Sequence, residues 1–134
     1  MANEVYNTIK KIQGRTFTRV VRDEDCVDCL KFYTSIDEDS YVLMAHEQQC
    51  CEDVWIESIV GDLSDLENTP IVLAEEAISY GEEIIGEDSA TYTFYKLRTI
   101  KGSVDIRWVG TSNGYYSETV DISEHGEKEN KYND

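Results

Sequence analysis

The sequence predicts an α+β fold in which a mostly antiparallel β-sheet of meanders and hairpins carries an N-terminal helix and one short helix. Three observations predict it: a helical spacing of apolar residues at the start, a series of β-branched and aromatic runs in the middle, and two turn-forming dipeptides in the last third. Among 134 residues there is one proline and no Pro/Ser linker. We therefore expect a single domain over residues 1–122, followed by a polar, disordered tail over 123–134.

The N-terminal helix is predicted from Val5, Ile9 and Ile12, which share one helical stripe that ends at Gly14. The runs RTFTRVV, VDCLKFYTSI and SYVLMAH, separated by acidic turns, predict a three-stranded meander. The next run, EDVWIESI, fits both a strand and a short helix.

The short helix is predicted from residues 64–67, which have capping-box spacing and lie just before Pro70. The run PIVLAEEAI then predicts a buried strand, and GEEIIGEDSA predicts an acidic loop. Each of these assignments rests on local pattern alone.

The last third of the chain predicts two hairpins. TYTFYKLRTI and SVDIRWVG flank Lys101–Gly102, and SETVDIS follows Asn113–Gly114. An Asn-Gly pair favours a hairpin because both residues tolerate the positive φ of a type I′ turn. With a two-residue turn at Lys101–Gly102, the predicted cross-strand pairs are Arg98 with Asp105, Leu97 with Ile106, Lys96 with Arg107 and Tyr95 with Trp108. Tyr95, Leu97, Ile106 and Trp108 then share a predicted core face.

The charge is strongly acidic and unevenly distributed. The net charge is −16, and residues 23–90 hold twenty acidic and one basic side chain. Twelve basic residues among so many acids disfavour direct nucleic-acid binding and binding to an anionic membrane surface. No apolar stretch approaches the ~18 residues of a membrane span, and no signal-peptide core is present. We therefore expect a cytoplasmic protein whose four cysteines are thiols.

The segment AHEQQCCEDVW, residues 45–55, raises the question of a metal or catalytic site. Cys26, Cys29, His46 and Cys50 supply four zinc-type ligands, but the second close pair of a zinc ribbon is missing. A catalytic Cys/His pair is disfavoured because the neighbouring acidic residues raise the pKa of a thiol. We therefore predict no metal, no cofactor and no enzymatic activity, with one thiol of the segment in the core.

Three groups of residues are candidates for binding a ligand. The like-charge pair of Lys96 and Arg107 indicates either an internal acidic partner or an anionic, phosphate-bearing ligand. Aromatic side chains near the Asn-Gly turn are typical of a stacking platform, although tyrosine also favours strands. Polar residues of the 45–55 segment either line a pocket or satisfy buried backbone groups. The predicted ligand-binding residues are His46, Gln48, Glu52, Lys96, Arg107, Trp108, Asn113, Tyr115 and Tyr116.

Five segments also resemble a known family. HEQQCCE (46–52), GDLSDL (61–66), PI…AEE (70–76), TFYKL…IKG (93–102) and IRWVGTSNGYYSE (106–118) are similar in order and spacing to the DUF7448 family of small uncharacterised phage proteins, over residues 14–122. Cys26 and Cys29 are not part of that pattern. The resemblance implies a phage accessory protein in the cytoplasm of the infected bacterial host.

Two modes of counter-defence follow as expectations. In the first, the protein binds and sequesters a small nucleotide-derived signalling molecule without cleaving it. In the second, it is an acidic inhibitor, a nucleic-acid mimic that covers the basic surface of a host nuclease or other nucleic-acid-binding protein. Because a meander leaves edge strands, we also expect a homo-oligomer.

Overall fold

The computed structural model describes residues 9–23, 28–81, 89–112 and 116–126. Eight strands and one 3-10 turn, Leu63–Leu66, lie in this part of the chain. The strands are β1 Arg19–Asp23, β2 Cys29–Tyr33, β3 Tyr41–Ala45, β4 Asp53–Val60, β5 Leu73–Gly81, β6 Ser89–Arg98, β7 Ser103–Ser112 and β8 Asp121–His125.

The strands form two four-stranded antiparallel sheets. The first sheet has the order β1-β2-β3-β8, and the second has the order β4-β7-β6-β5. The predicted meander is confirmed as β1, β2 and β3, which pair in sequence order. The ambiguous run EDVWIESI is a strand, β4, at one edge of the second sheet.

The two sheets enclose one shared core. Strand alternation places every second side chain inward, such as Val42 and Met44 on β3 and Ile106 and Trp108 on β7, each at most 1% exposed. These residues belong to a single buried apolar cluster. Burying each such side chain stabilises the fold by roughly 1.5–3 kcal/mol, so the sheets are held together mainly by apolar contact.

The predicted α+β class and the N-terminal helix are wrong, because the described structure is almost entirely β. Residues 11–14 form a turn, and Ile12 is fully buried beneath it. After the turn, the Gly14 N–H donates to the Ile71 carbonyl at 2.8 Å and the Ile71 N–H donates to the Arg15 carbonyl at 2.9 Å. This turn buries Ile9 and Ile12. The backbone hydrogen bonds with Ile71 hold the residues that follow in an extended conformation, which a continuing helix would not allow.

The predicted short helix is a single 3-10 turn, and its cap differs from the predicted capping box. Asp62 is the N-cap, and its carboxylate accepts the Ser64 N–H at 3.0 Å. Glu67 does not return to the turn, because its carboxylate accepts the Val20 N–H at 2.9 Å. A contact with β1 therefore replaces the local one.

The strand predicted from PIVLAEEAI is not buried throughout, because β5 is an edge strand. Ala74 is 7% exposed, whereas Glu75, Ala77 and Ser79 are exposed. The buried Ile71 lies before the strand begins. The apolar run therefore combines the segment that leads into β5, which is buried at Ile71, with an edge strand that has one exposed face.

The predicted pairing of β6 with β7 is confirmed, but its turn lies one residue earlier. Thr99 and Gly102 exchange backbone hydrogen bonds of 2.8 and 3.3 Å, so Ile100 and Lys101 form the two-residue turn. The register shifts by two residues, which preserves the inward face and changes each partner. The observed pairs are Leu97 with Val104, Lys96 with Asp105, Tyr95 with Ile106, Phe94 with Arg107 and Thr93 with Trp108.

The hairpin predicted at Asn113–Gly114 is wrong. β7 does not pair with the strand that follows it, because β8 joins β3 in the first sheet, with Met44 opposite Ile122. Burial of Ile122 in the shared core favours this crossing over a local hairpin. β8 also extends to His125, three residues beyond the predicted domain boundary at 122.

Parts of some predictions lie outside the described residues. They are Val5 of the predicted helix, Cys26, the acidic loop over 82–88, the Asn113–Gly114 turn, Tyr115 and the tail over 127–134. Within the described part of the chain, no helix is long and apolar enough to span a membrane.

Candidate functional site

The connection between β3 and β4 brings three predicted residues together in one hydrogen-bond network. His46 Nε2 lies 2.7 Å from Glu52 Oε2, and His46 Nδ1 lies 2.7 Å from the carbonyl oxygen of Thr119. The side-chain amide of Gln48 donates to the Glu52 carbonyl at 2.5 Å. The network fastens the connection to the segment that enters β8.

Glu52 is the buried centre of this network, at 1% exposure. Its carboxylate accepts the N–H groups of Gln49 at 2.7 Å and Cys50 at 3.0 Å, besides the bond to His46. Burial raises the pKa of Glu52, but the hydrogen bonds from His46 and from the backbone together outweigh burial and lower it to about 2. The carboxylate therefore carries its charge to satisfy backbone groups, as one of the two sequence interpretations predicted.

The geometry around His46 leaves neither ring nitrogen available as an acceptor. The Thr119 carbonyl only accepts, so Nδ1 donates to it; the ionised Glu52 carboxylate only accepts, so Nε2 donates to it. With its side chain 4% exposed, His46 serves the fold and is not placed to ligate a metal or to deprotonate a thiol.

The cysteines differ from the sequence prediction. Cys50 and Cys51 are joined by a disulfide, with a Cα–Cα distance of 3.7 Å, and both are exposed. The buried Cys29 is also disulfide-bonded. The expectation of thiols, one of them from this segment in the core, is therefore wrong, because Glu52 takes the buried position. Across the described ranges, no group of three His, Cys, Asp or Glu residues is arranged to hold a metal ion.

A second candidate site is the solvent-facing surface of the second sheet, here called the outer face. Alternation on β6 and β7 turns one set of side chains toward solvent while its neighbours fill the core. β4 adds an aromatic ring to the same surface. The outer face comprises Trp55, Glu57, Glu75, Tyr92, Phe94, Lys96, Arg98, Asp105 and Arg107.

Arg107 is held at the middle of the outer face by an acid and two rings. Its Nε lies 2.8 Å from Glu57 Oε1 in an ion pair. Its guanidinium carbon lies 5.1 Å from the ring centroid of Tyr92 and 5.6 Å from that of Phe94. The internal acidic partner considered from the sequence is thus Glu57, and Arg107 does not stand directly opposite Lys96.

Arg98 and Lys96 are the cations of the outer face that lack a carboxylate partner among the described residues. Every other arginine has one within 3.0 Å: Arg15 pairs with Glu124, Arg19 with Glu38, Arg22 with Asp28 and Arg107 with Glu57. Arg98 and Lys96 are two residues apart on β6 and share a face, so their Cα atoms lie about 7 Å apart. Glu75 and Asp105 stand opposite Lys96 on the neighbouring strands and line the same depression, so Arg98 and Lys96 are two cations without ion pairs to the described residues in a locally mixed set of charges.

Two adjoining depressions mark the outer face beside these cations. One of about 290 Å³ is lined by residues that include Phe94 and Arg107, and the other of about 370 Å³ by residues that include Arg98. Lys96 and Asp105 line both. Together they approach the size of a small-ligand site, but they are shallow and open. Trp55, 39% exposed, is an uncovered ring on the same surface.

The remaining predicted ligand-binding residues do not join the outer face. Trp108 is 1% exposed and points into the core, which confirms its predicted place on the core face with Tyr95, Leu97 and Ile106 and leaves its ring unable to stack on a ligand. Its Nε1 is the single buried side-chain nitrogen or oxygen without a hydrogen-bond partner in the described part of the chain. Tyr116 is half-buried, and its carbonyl accepts from the Ser112 hydroxyl at 3.3 Å. Asn113 and Tyr115 lie outside the described residues.

A family model described as a domain of unknown function, DUF7448, matches residues 4–122. The chain belongs to the DUF7448 family. The match begins ten residues before the resemblance recognised in the sequence and includes all eight strands except the end of β8. No curated protein and no solved structure matched this DUF7448 chain in the corresponding comparisons.

The predicted ligand-binding residues did not include the aromatic side chains of the outer face or one of its cations: Trp55, Tyr92, Phe94 and Arg98. A signal was available in TYTFYKLR, where Tyr92, Phe94, Lys96 and Arg98 alternate with the inward side chains. It was obscured because both faces of this strand contain aromatic residues. Glu118 was also missed; it is 7% exposed and accepts from the Thr91 hydroxyl at 2.7 Å and from the Ser112 hydroxyl.

Proposed function

We propose that this protein is a non-catalytic binding protein that captures a small phosphorylated, nucleotide-like molecule on the outer face and holds it without cleaving it. One observation carries the proposal: Arg98, with Lys96 beside it, has no carboxylate partner in a strongly acidic chain whose other arginines are all paired. A cation that the fold leaves unpaired among so many acids is available to an external anion.

The cations of the outer face suit a phosphorylated ligand. The planar guanidinium of Arg98 binds two phosphate oxygens at once, while the ammonium of Lys96 acts as a point charge. Arg107 adds a third positive charge, with its side chain 45% exposed and only Nε engaged by Glu57. The overall net charge of −16 opposes the approach of an anion, so binding depends on these local charges.

The aromatic residues of the outer face suit the base of such a ligand. Phe94 is 38% exposed and Trp55 is 39% exposed. Stacking of a base on an aromatic side chain contributes roughly 1–3 kcal/mol and tolerates different bases. Phe94 lies two residues from Lys96 on β6 and opposite Arg107, so it is the ring placed beside the cations.

A biological role follows from the proposed binding. We place the protein in the cytoplasm of an infected bacterium as a phage accessory protein that removes a nucleotide-derived signal of host defence. This role is supported by the resemblance of the sequence to a family of phage proteins and by the cations and aromatic rings that the outer face offers to a ligand. Sequestration needs only affinity and abundance, which suits an open binding surface on a small domain.

The acidic-inhibitor mode is less well supported. Mimicry of a nucleic acid requires one continuous acidic face, but the described acids are spread over both sheets and their turns. Many are already occupied within the fold: Asp23 by Lys31, Asp28 by Arg22, Glu38 by Arg19, Glu52 by His46 and Glu57 by Arg107. Carboxylates engaged in this way offer less charge to a basic partner.

The test compares nucleotide binding by three proteins. Wild type, Arg98→Ala and Arg19→Ala are each titrated by calorimetry with a panel of linear and cyclic nucleotides. Loss of charge-assisted hydrogen bonds at Arg98 is expected to weaken binding by about tenfold or more. Arg19→Ala, which removes an exposed arginine from the first sheet, is expected to bind as wild type does.

The fate of the ligand completes the test. Ligand released by denaturation is analysed by mass spectrometry and is expected to be chemically intact. The proposal is overturned if wild type binds no member of the panel, if the released ligand is cleaved, or if Arg98→Ala binds as tightly as wild type does.

A further inference from the structure

The four edge strands differ in how well they are protected from pairing. β1 and β8 at the edges of the first sheet have five residues each. β4 is interrupted by a bulge between Ile56 and Ser58. β5 has nine residues in unbroken register with β6 and contains neither proline nor lysine. Short length, bulges, proline and charged side chains are the usual protections of an edge strand; β5 lacks the first three, and its only charged residues are Glu75 and Glu76.

The outer edge of β5 is open along its length in the described structure. Backbone bonds from Gly14 and Arg15 reach Ile71, and no described residue pairs with the free side of the strand beyond that point. Ala77 and Ser79 are exposed, and Tyr80 is 72% exposed. A row of unpaired N–H and C=O groups therefore faces solvent.

We propose that two copies of this chain pair through β5, antiparallel about a two-fold axis at Ala77, to form one continuous eight-stranded sheet. Ala77 is the midpoint of Leu73–Gly81, so this register pairs all nine residues of each strand. Antiparallel pairing about a two-fold axis is an isologous contact that closes after two copies.

The side chains of β5 select this register. With Ala77 on the axis, Glu75 stands opposite Ser79 of the partner subunit, and Glu76 stands opposite Ile78 of the partner subunit. No two like charges are opposed. An axis at Glu76 sets two carboxylates against each other, which is unfavourable, and an axis at Ile78 pairs only residues 75–81.

The same register covers an exposed ring. Tyr80 stands opposite Ala74 of the partner subunit, so the large side chain meets a small one. The ring loses solvent exposure without displacing a bulky neighbour, which favours pairing. The pairing does not depend on the proposed function, and it leaves the outer faces of both copies on the same side of the joined sheet.

The experiment measures self-association by sedimentation across micromolar to submillimolar concentrations. Wild type is expected to reach twice the chain mass of 15.4 kDa. Ala77→Glu places two carboxylates on the axis and further acids diagonally, and is expected to weaken the dimer by about fivefold or more. Val60→Glu makes the same charge change on the exposed edge of β4 and is expected to associate as wild type does.

Ser79→Lys tests the register, because it places an ammonium opposite Glu75 of the partner subunit. Association as strong as that of wild type, or stronger, is expected. The proposal is overturned if wild type stays a single copy, if Val60→Glu weakens association as much as Ala77→Glu does, or if Ser79→Lys dissociates the pair.

Hydrogen exchange of wild type provides a second measurement that needs no variant. Amide exchange within Leu73–Gly81 is expected to slow as protein concentration rises, because the outward N–H groups become bonded across the axis. Equal exchange rates at low and high concentration overturn the pairing.

Discussion

His46 and Glu52 lie 2.7 Å apart, Nε2 to Oε2, and together they hold the β3–β4 connection against the segment that leads into β8. The contact joins parts of the chain that belong to different sheets, because Glu52 immediately precedes β4 and His46 also donates to Thr119. The charge of the Glu52 carboxylate is therefore engaged by hydrogen bonds within the folded protein. The stability of this DUF7448 domain should therefore depend on pH in a specific way.

Acid should remove the contribution of Glu52 to the free energy of unfolding. Its pKa falls from the ordinary value of 4.5 to about 2 on folding. Between these values the unfolded chain binds more protons than the folded chain, so the free energy of unfolding falls as pH falls. The contribution is present in full above pH 4.5 and is lost as pH falls through about 2.

Urea unfolding of wild type and Glu52→Gln over a series of pH values checks this dependence. Glu52→Gln should be the less stable protein at neutral pH, and the difference should shrink as pH approaches 2. Asp53→Asn, which changes the exposed neighbouring carboxylate, serves as the control and should alter the acid dependence less. A difference between wild type and Glu52→Gln that is constant with pH would contradict the assignment.

Tyr95→Phe should lower the free energy of unfolding by about 1.5–3 kcal/mol, because the Tyr95 hydroxyl is buried and donates to Glu76 Oε2 at 2.7 Å. Burial, and then the Glu76 carboxylate, raises the pKa of Tyr95 well above 10. The folded state therefore keeps the neutral phenol, and its stabilisation is lost as pH rises beyond the ordinary phenol range. Chemical unfolding at neutral and alkaline pH measures both effects.

Tyr80→Phe is the matched control for Tyr95→Phe, because Tyr80 is 72% exposed. Removing its hydroxyl should change the free energy of unfolding by less than about 0.5 kcal/mol. Equal effects of the two substitutions would show that the Tyr95–Glu76 bond adds no net stability.

Residue alternation made the inward faces of the central strands predictable. Tyr95, Leu97 and Ile106 were assigned to the core from the sequence and lie there. The register was not predictable, because a turn at Ile100–Lys101 and one at Lys101–Gly102 give the same inward face. Only the contacts between strands distinguish them.

Long-range contacts explain the larger errors. The local sequence around Asn113–Gly114 does not predict that β8 pairs with β3. That pairing depends on burying Ile122 in a core formed by both sheets. The N-terminal turn likewise depends on backbone partners at Ile71. The sequence predicts Arg107 as a ligand-binding residue, whereas the lack of an ion pair at Arg98 depends on where the acids of the described residues lie in the folded chain.

Gly61→Ala should destabilise the fold more than Gly14→Ala does. Both glycines have positive φ, +118° at Gly61 and +82° at Gly14, so an alanine is strained at either position. A Cβ at Gly61 would also lie 2.5 Å from the Ser103 carbonyl oxygen, whereas a Cβ at Gly14 meets no atom within 4 Å. We expect a loss of about 1–2 kcal/mol at Gly14 and more at Gly61. Thermal unfolding of the two variants tests the order, which equal losses would contradict.

Asp28 joins the two sheets at the bulge of β4. Its carboxylate accepts the Ile56 N–H at 2.8 Å and two bonds from Arg22, at 2.9 and 3.1 Å. Arg22 in turn donates to the Ile56 carbonyl at 3.3 Å. An ion pair anchored on β1 thus holds both backbone groups of one residue in the opposite sheet.

Asp28→Ala should lower the free energy of unfolding by about 1–3 kcal/mol, because it leaves the Ile56 N–H without its acceptor and Arg22 without its counter-charge. Asp28→Asn retains an acceptor for that N–H and should lose less. Glu38→Ala removes the exposed ion pair with Arg19 and should cost at most about 1 kcal/mol. Urea unfolding ranks the three variants. If Asp28→Ala is no more damaging than Glu38→Ala, the Asp28 contact does not hold the sheets together and the apolar core alone does so.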